Sequence, residues 1–275
     1  MRIPFLALAF AATLAAGTAP PRLEALPMGG NLWVKQADGR VEVEGWDRPE
    51  VEVVAEGSDP EAVARLRVER KSGGLLIEVP HRRPFPFGFV VGHGRRDRHT
   101  VHLRLRVPRR LNLDVRSVDG PVTVRNLEGY AGVRTVDGHI TVESVAGEVH
   151  ARAVDGRITC RDLRARVKAG TVDGSITLER VEGGLDLTTV DGSVRAEDLD
   201  GWGEGLKVRT VDGNVHLRLG RAKGLIDARS QGGTIRADVP GMTGTETGKH
   251  RFSATVPGRD QAIRVRTVDG NVEIK

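Results

Sequence analysis

The stretch from Ile140 to Gly156, ITVESVAGEVHARAVDG, states one nine-residue phrase twice: Ile140, Val142 and Val145, then Val149, Ala151 and Val154. The i, i+2 alternation reads as a short strand with one face inward. The extra residue before each third apolar position, followed by Gly147 or Asp155-Gly156, reads as a corner. Two strands and two corners make one coil of a parallel β-solenoid. Outward from this unit, Val-Asp-Gly recurs at 118–120, 136–138, 154–156, 172–174 and 190–192, in steps of 18 residues. The next copy, 211–213, follows after 21 residues, and a degenerate Gln231-Gly232-Gly233 after a further 20. Val268-Asp269-Gly270 closes the series 37 residues later, an interval that reads as two coils with one marker lost between Pro240 and Ala262.

Three apolar ladders follow if successive coils stack in chain order. The first is Val122, Ile140, Ile158, Ile176, Val194, Val215, Ile235 and Val272; the second is Val124, Val142, Cys160, Leu178, Ala196, Leu217, Ala237 and Ile274. The third runs Leu127, Val145, Leu163, Val181, Leu199. The expected fold class is therefore all-β: a right-handed parallel β-solenoid of about 18 residues per coil. A hexapeptide helix also uses 18 residues, but Ala146 and Glu182 stand where it needs apolar chains. Calcium-binding β-rolls place acidic Gly-rich turns on both edges, whereas here only one edge is regularly Asp-Gly. Composition agrees: 35 Gly in 275 residues, 39% hydrophobic residues and only 4% aromatics favour short strands and tight turns over a helical bundle.

The chain opens with MRIPFLALAFAATLAAGTA, one basic residue and then an apolar run ending in small residues, which reads as a secretory signal over residues 1–19. Residues 20–29 read as a linker and 30–110 as a β-rich opening section, with 111–275 as the repeat region. Inside the opening section, Ala37-Asp38-Gly39 looks like an early copy of the phrase, and Leu66–Arg70 with Leu75–Val79 like a hairpin. Residues 81–100, HRRPFPFGFVVGHGRRDRHT, form a basic, aromatic insertion. The expected setting is exported, periplasmic or cell-envelope associated, with no transmembrane span in the mature chain. One cysteine, Cys160, allows no intramolecular disulfide and no Cys-based zinc cage, and its place in an aliphatic ladder makes it a small buried hydrophobe.

GRVEVEGWDRPEVEVVA near the start, LRVPRRLNLDVRSVDGPVTVRNLEG, the iterated TVDG units and the closing VRTVDGNVEI resemble the bacterial "putative adhesin" β-strand-repeat family. The resemblance spans nearly the whole chain from Gly30 to Lys275. It implies a β-helix-like solenoid in an envelope setting and carries over no catalytic residue. The departures are Gln231-Gly232-Gly233 and the insertion at 81–100.

The most chemical-looking feature is the ladder Asp119, Asp137, Asp155, Asp173, Asp191 and Asp212. One reading is a cation track, because calcium prefers clustered oxygens. The other is turn chemistry, with Gly supplying φ > 0 and Asp capping backbone N–H groups. Arg116, Arg134, Arg152, Arg209 and Arg266, each three residues before an Asp, are expected to offset the carboxylate repulsion. The partner-binding candidates are Arg82, Arg83, Phe85, Phe87, Phe89, Arg95, Arg96 and Arg98, where cations alternate with aromatics. The repeat faces are expected to carry evenly mixed charge, as in Arg125, Glu143, Arg161, Glu179 and Arg195. His93, His99 and His102 match no metal-ligand spacing, and no nucleophile-elbow, HExxH, Walker or dinucleotide motif occurs. The sequence thus points to a non-enzymatic, adhesin-like envelope scaffold or surface-interaction module without a cofactor. Its partners would be anionic envelope glycans, a lipid surface or another envelope protein, not nucleic acid. The alternative is a polysaccharide-processing or glycan-binding β-helix using Asp and Arg.

Overall fold

The doubled phrase folds as bent strands. A computed structural model describes residues 20–80, 100–200, 205–221, 223–258 and 261–275. The signal segment and the insertion residues 81–99 lie outside the described residues. The opening elements are β1 (Arg22–Ala25), β2 (Asn31–Asp38), β3 (Val41–Trp46), β4 (Glu50–Gly57), α1 (Pro60–Ala64), β5 (Arg67–Lys71), β6 (Gly74–Val79) and β7 (Val101–Pro108). The middle holds β8 (Arg110–Asp119), β9 (Val122–Arg134), β10 (Ile140–Arg152), β11 (Ile158–Gly170), β12 (Ile176–Glu182), β13 (Leu185–Thr188), β14 (Val194–Asp200), β15 (Leu206–Arg209) and β16 (Val215–Leu217). The end is made of β17 (Gly224–Ser230), β18 (Ile235–Ala237), β19 (Thr243–Gly248), β20 (Arg251–Val256), β21 (Ala262–Thr267) and β22 (Val272–Ile274).

The fold is an all-β solenoid. Ile140 pairs in parallel with Val122 on one side and Ile158 on the other, and Val149 pairs with Ala131 and Val167. Each coil contributes one strand to each of two faces, here called the first face (Val122–Arg125 and its equivalents) and the second face (Tyr130–Arg134 and its equivalents). Between them lies the core, where Val122, Ile140, Ile158 and Ile176 are fully enclosed. At about 25 cal/mol per Å² of apolar area removed from water, such ladders dominate the stability.

The two corners differ. At one, β9 to β11 bend at Asn126, Ser144 and Asp162, and the next two coils turn at Arg180 and Asp198; all five have φ between 51° and 57°. Asn, Ser and Asp suit this left-handed region through local hydrogen bonding, but Arg does not. Arg180 is held there by two bonds from its guanidinium to Asp162, at 2.6 and 3.0 Å. At the Val-Asp-Gly corner, the two nonapeptides turn out not to be equivalent. Val145 is buried, whereas its expected counterpart Val154 is 43% exposed, and so are its equivalents in neighbouring coils. The residue before each such Val points inward instead. Thr171 Oγ1 donates to the carbonyls of Val154 and Gly156 in the preceding coil, at 3.1 and 3.2 Å.

Chain order and stacking order part company at both ends. Val215 pairs with Val272, and Val272 with Ile235, so the last coil of the sequence sits between the two before it. The first coil does the same: β2 and β3 lie between β8–β9 and the later β6–β7. The apolar ladders therefore do not run in chain order as expected, and residues 240–262 are not a coil with a lost marker. Thr243–Gly248 has no apolar alternation and is exposed throughout; it forms an antiparallel hairpin with β20, which pairs antiparallel with β17. At the other end β4 and β5 lie antiparallel on β7 and β6. A parallel stack leaves open edges, and antiparallel strands cover them.

Candidate functional site

The aspartates do stack. Asp119, Asp137, Asp155, Asp173, Asp191, Asp212 and Asp269 are joined by successive parallel bridges, and Asp38 pairs with Asp119. Two parts of the turn reading fail. Among the described residues these carboxylates make no hydrogen bond, so they cap nothing. Of the repeat glycines only Gly39 and Gly120 lie in the left-handed region, at 124° and 111°. Gly156 and its equivalents are required for a different reason: a Cβ there would collide with the carbonyl oxygen of the glycine one coil away. The expected Arg compensation also fails. Arg116 and Arg134 project from the second face and pair with Asp114 at 3.3 and 3.2 Å, and Arg209 pairs with Asp186 at 3.0 Å. Two residues, the first pointing inward and the second outward, separate each Arg from its Asp, enough to carry the two around the corner. Among the described residues no three His, Cys, Asp or Glu converge as a metal cage. Beside the aspartates runs a ridge of exposed valines, Val118, Val136, Val154, Val172, Val190, Val211 and Val268.

The two faces carry charge differently. On the first face, Arg125 binds Glu143 at 2.7 Å and Arg161 binds Glu179 at 3.0 Å, the alternation expected from the sequence. Arg195 is a correction: it pairs with Thr177, and the row runs from Glu179 to Glu197, which Arg195 and Arg218 neutralise at 3.1 and 3.5 Å. The second face departs from it. Its outward positions hold Lys35, Arg116, Arg134, Arg152, Arg166, Lys168, Lys207, Arg209, Arg229, Arg264 and Arg266 against Glu78, Asp114, Glu148, Asp186 and Asp227. That excess of six, from eleven against five, exceeds the +5 of the whole chain. Arg152, Lys168, Lys207 and Arg264 have no ion-pair partner among the described residues. Asp227 is the opposite case. Burial works against its ionisation, yet Arg266 at 2.6 Å holds its carboxyl below the usual range.

A hollow of about 290 Å³ lies in this face, floored by Gly184 and Gly205 and bounded by His150, Arg166, Lys168 and Lys207. Glu148 and Asp186 also line it. One coil from its rim at Glu148 and His150, the Tyr130 ring lies across the bare backbone of Gly132, where an added Cβ would meet its Oη, Cε1 and Cζ at 2.8–3.1 Å. The ring stands edge-on to His150, with centroids 5.3 Å apart at 77°. A larger groove of about 560 Å³ runs along the left-handed corner past Asp162, Arg180, Asp200 and Arg221. Most of its charges satisfy one another, since Arg180 engages Asp162 and Arg221 engages Asp200 at 2.6 Å, and Arg164 engages Glu182 at 3.6 Å. It is therefore the weaker binding candidate despite its size.

Arg82, Arg83, Phe85, Phe87, Phe89, Arg95, Arg96 and Arg98 lie outside the described residues. Of the described flanks, Val79 pairs with Gln36, whose row contains Ser117, and Leu103 pairs with Val41, so β6 ends and β7 begins at the Val-Asp-Gly edge. The basic second face was missed by the sequence reading, which sampled one outward row. Reading positions 148, 150 and 152 through every coil exposes it. Cys160 is fully buried, and burial pushes its thiol up to about 12.

Among the described residues no helix is long and apolar enough to cross a membrane. No curated protein matches the chain. Solved structures share the fold. One, called a "putative adhesin", from Bacteroides fragilis, is 11% identical, with TM-score 0.50 over 95% of this chain and 98% of that one. Another so named, from Parabacteroides merdae, is 9% identical, with TM-score 0.52 over 94% and 97%. The Toastrack DUF4097 family model matches residues 31–275, and the chain belongs to that family.

Proposed function

We propose that this protein is an exported, non-enzymatic surface-interaction module of the cell envelope, a right-handed solenoid presenting one self-neutralised face and one basic face. The observation that carries this reading is the charge asymmetry. A stack that neutralises its first face largely coil by coil leaves Arg152, Lys168, Lys207 and Arg264 without an ion-pair partner among the described residues of its second, which suits an anionic envelope partner. The shifted carboxylates among the described residues support a non-catalytic role, since Glu69, Asp162, Asp227 and Glu273 are each lowered by ordinary ion pairs and none is raised toward neutrality as a general acid would be. Fractionation of the tagged protein tests the setting: the mature chain is expected with envelope material, and a cytoplasmic location overturns it. Recovery with envelope fragments at low salt, and release at high salt, is the expected sign of the basic face. The competing reading is a polysaccharide-processing enzyme using Asp and Arg; product release from uronic-acid polymers, with or without calcium, would establish it.

A further inference from the structure

Three features of the second face converge on one ligand chemistry. Lys168, Lys207 and Arg264 stand in one row, interrupted only by Asp186, at about 4.8 Å per coil. Gly184 and Gly205 remove side chains from the adjoining row, so the cations overhang a trough instead of a filled surface. Tyr130, four coils or about 19 Å from Gly205, lies over Gly132 and stays half-exposed at an outward position. An aromatic face is weakly negative and suits the C–H-bearing face of a sugar ring, while the ammonium groups suit carboxylates.

We infer that this face binds a linear anionic polysaccharide of carboxylate-bearing sugars, with Tyr130 as a stacking platform and Lys168 and Lys207 as the charge-pairing residues in the trough. The inference rests on the envelope-interaction reading and narrows it. A polymer is favoured over a bilayer because the face offers nothing to insert between Tyr130 and Arg264. The exposed valines lie on the edge, beside a row of carboxylates that an anionic membrane would repel. A repeating polymer also matches a repeating row of cations, whereas a small anion would use one rung.

The test is affinity electrophoresis of the full chain through gels containing polygalacturonate, with a neutral glucan as control and anionic phospholipid vesicles assayed in parallel. Polygalacturonate is expected to retard the protein in a salt-sensitive way. The pair Lys168→Gln and Lys207→Gln is expected to weaken retention at least tenfold. Tyr130→Ala is expected to weaken it several-fold with the salt dependence kept, and Arg125→Gln with Arg161→Gln on the first face to change it less than twofold. All these positions are outward, and circular dichroism reports whether each variant keeps its strands. Vesicle binding without polymer binding overturns this inference and leaves the envelope reading standing. Loss of polymer binding on deleting Pro84–Arg98, with the Lys168/Lys207 pair retained at full strength, moves the site to the insertion and also overturns it. Binding to neither ligand overturns it too, and fractionation then decides the envelope reading separately.

Discussion

Ile274 belongs to the last Val-Asp-Gly coil, which in chain order would be the outermost of the stack, where fraying is the ordinary expectation. In this fold it is fully buried, paired with Leu217 on one side and Ala237 on the other. Its carbonyl accepts from Asp238 N at 2.8 Å, and the next carbonyl, of Lys275, accepts from Leu219 N at 2.8 Å. Ile274→Ala removes three carbons from a closed site, about 2.4 kcal/mol of transfer free energy before any cavity cost, so about 3 kcal/mol in all. For a chain of this size that corresponds to a fall of about 6–12 °C in melting temperature. Ile235→Ala, in the outermost coil and only partly buried, is expected to cost about 1 kcal/mol. Thermal melts by far-UV circular dichroism give the ranking, and amide exchange at Leu219 and Asp238 locates it. If the coils stacked in chain order, Ile274 would lie at the fraying end and Ile235 inside. A nearly neutral Ile274→Ala with a costly Ile235→Ala would refute the inverted order.

The unpaired aspartates predict that Asp155→Asn raises stability by up to about 1 kcal/mol, more at low ionic strength, from two neighbours about 4.8 Å away; melts at two salt concentrations read it. Calcium is expected to shift the wild-type melt little, and a large rise lost in multiple Asp→Asn variants would restore the cation track. Gly156→Ala is expected to cost about 1–3 kcal/mol by forcing coils apart, whereas Gly170→Ala, whose added Cβ would lie 3.7 Å from its nearest neighbour, should be neutral in the same urea titration. For Cys160 the neutral thiol stabilises the fold fully below the unfolded pKa near 8.5, and that contribution is lost as pH rises toward about 12. Thiol reagents at pH 8 should therefore label only the unfolded chain, and rapid labelling without unfolding would show the ladder position to be wrong.

The sequence by itself determined the coil. Ile140-x-Val142 and Val149-x-Ala151 can bury one face only as strands, and Val-Asp-Gly at fixed spacing forces stacked identical corners. The bend beside Ser144 was legible as well, because an extra residue in a strict alternation must be accommodated somewhere. Two facts of the corner were not. That Thr171 points in and Val172 out depends on which carbonyls the neighbouring coil presents. That Gly156 is needed for stacking distance, not for its φ, is a contact between residues 18 apart. The order of the end coils was equally hidden, since a strand ladder records which residues can pair and not which neighbour arrives first. Val272 and Ile235 suit the same position, and only the antiparallel cap of β19 and β20 decides that Ile235 lies outside. The basic face is an intermediate case. Its residues were in plain view, but Arg116 was assigned to Asp119 because the two are close in sequence. The turn between them carries Arg116 onto a sheet face and Asp119 onto an edge, and that separation gives the protein one neutral face and one charged for a partner.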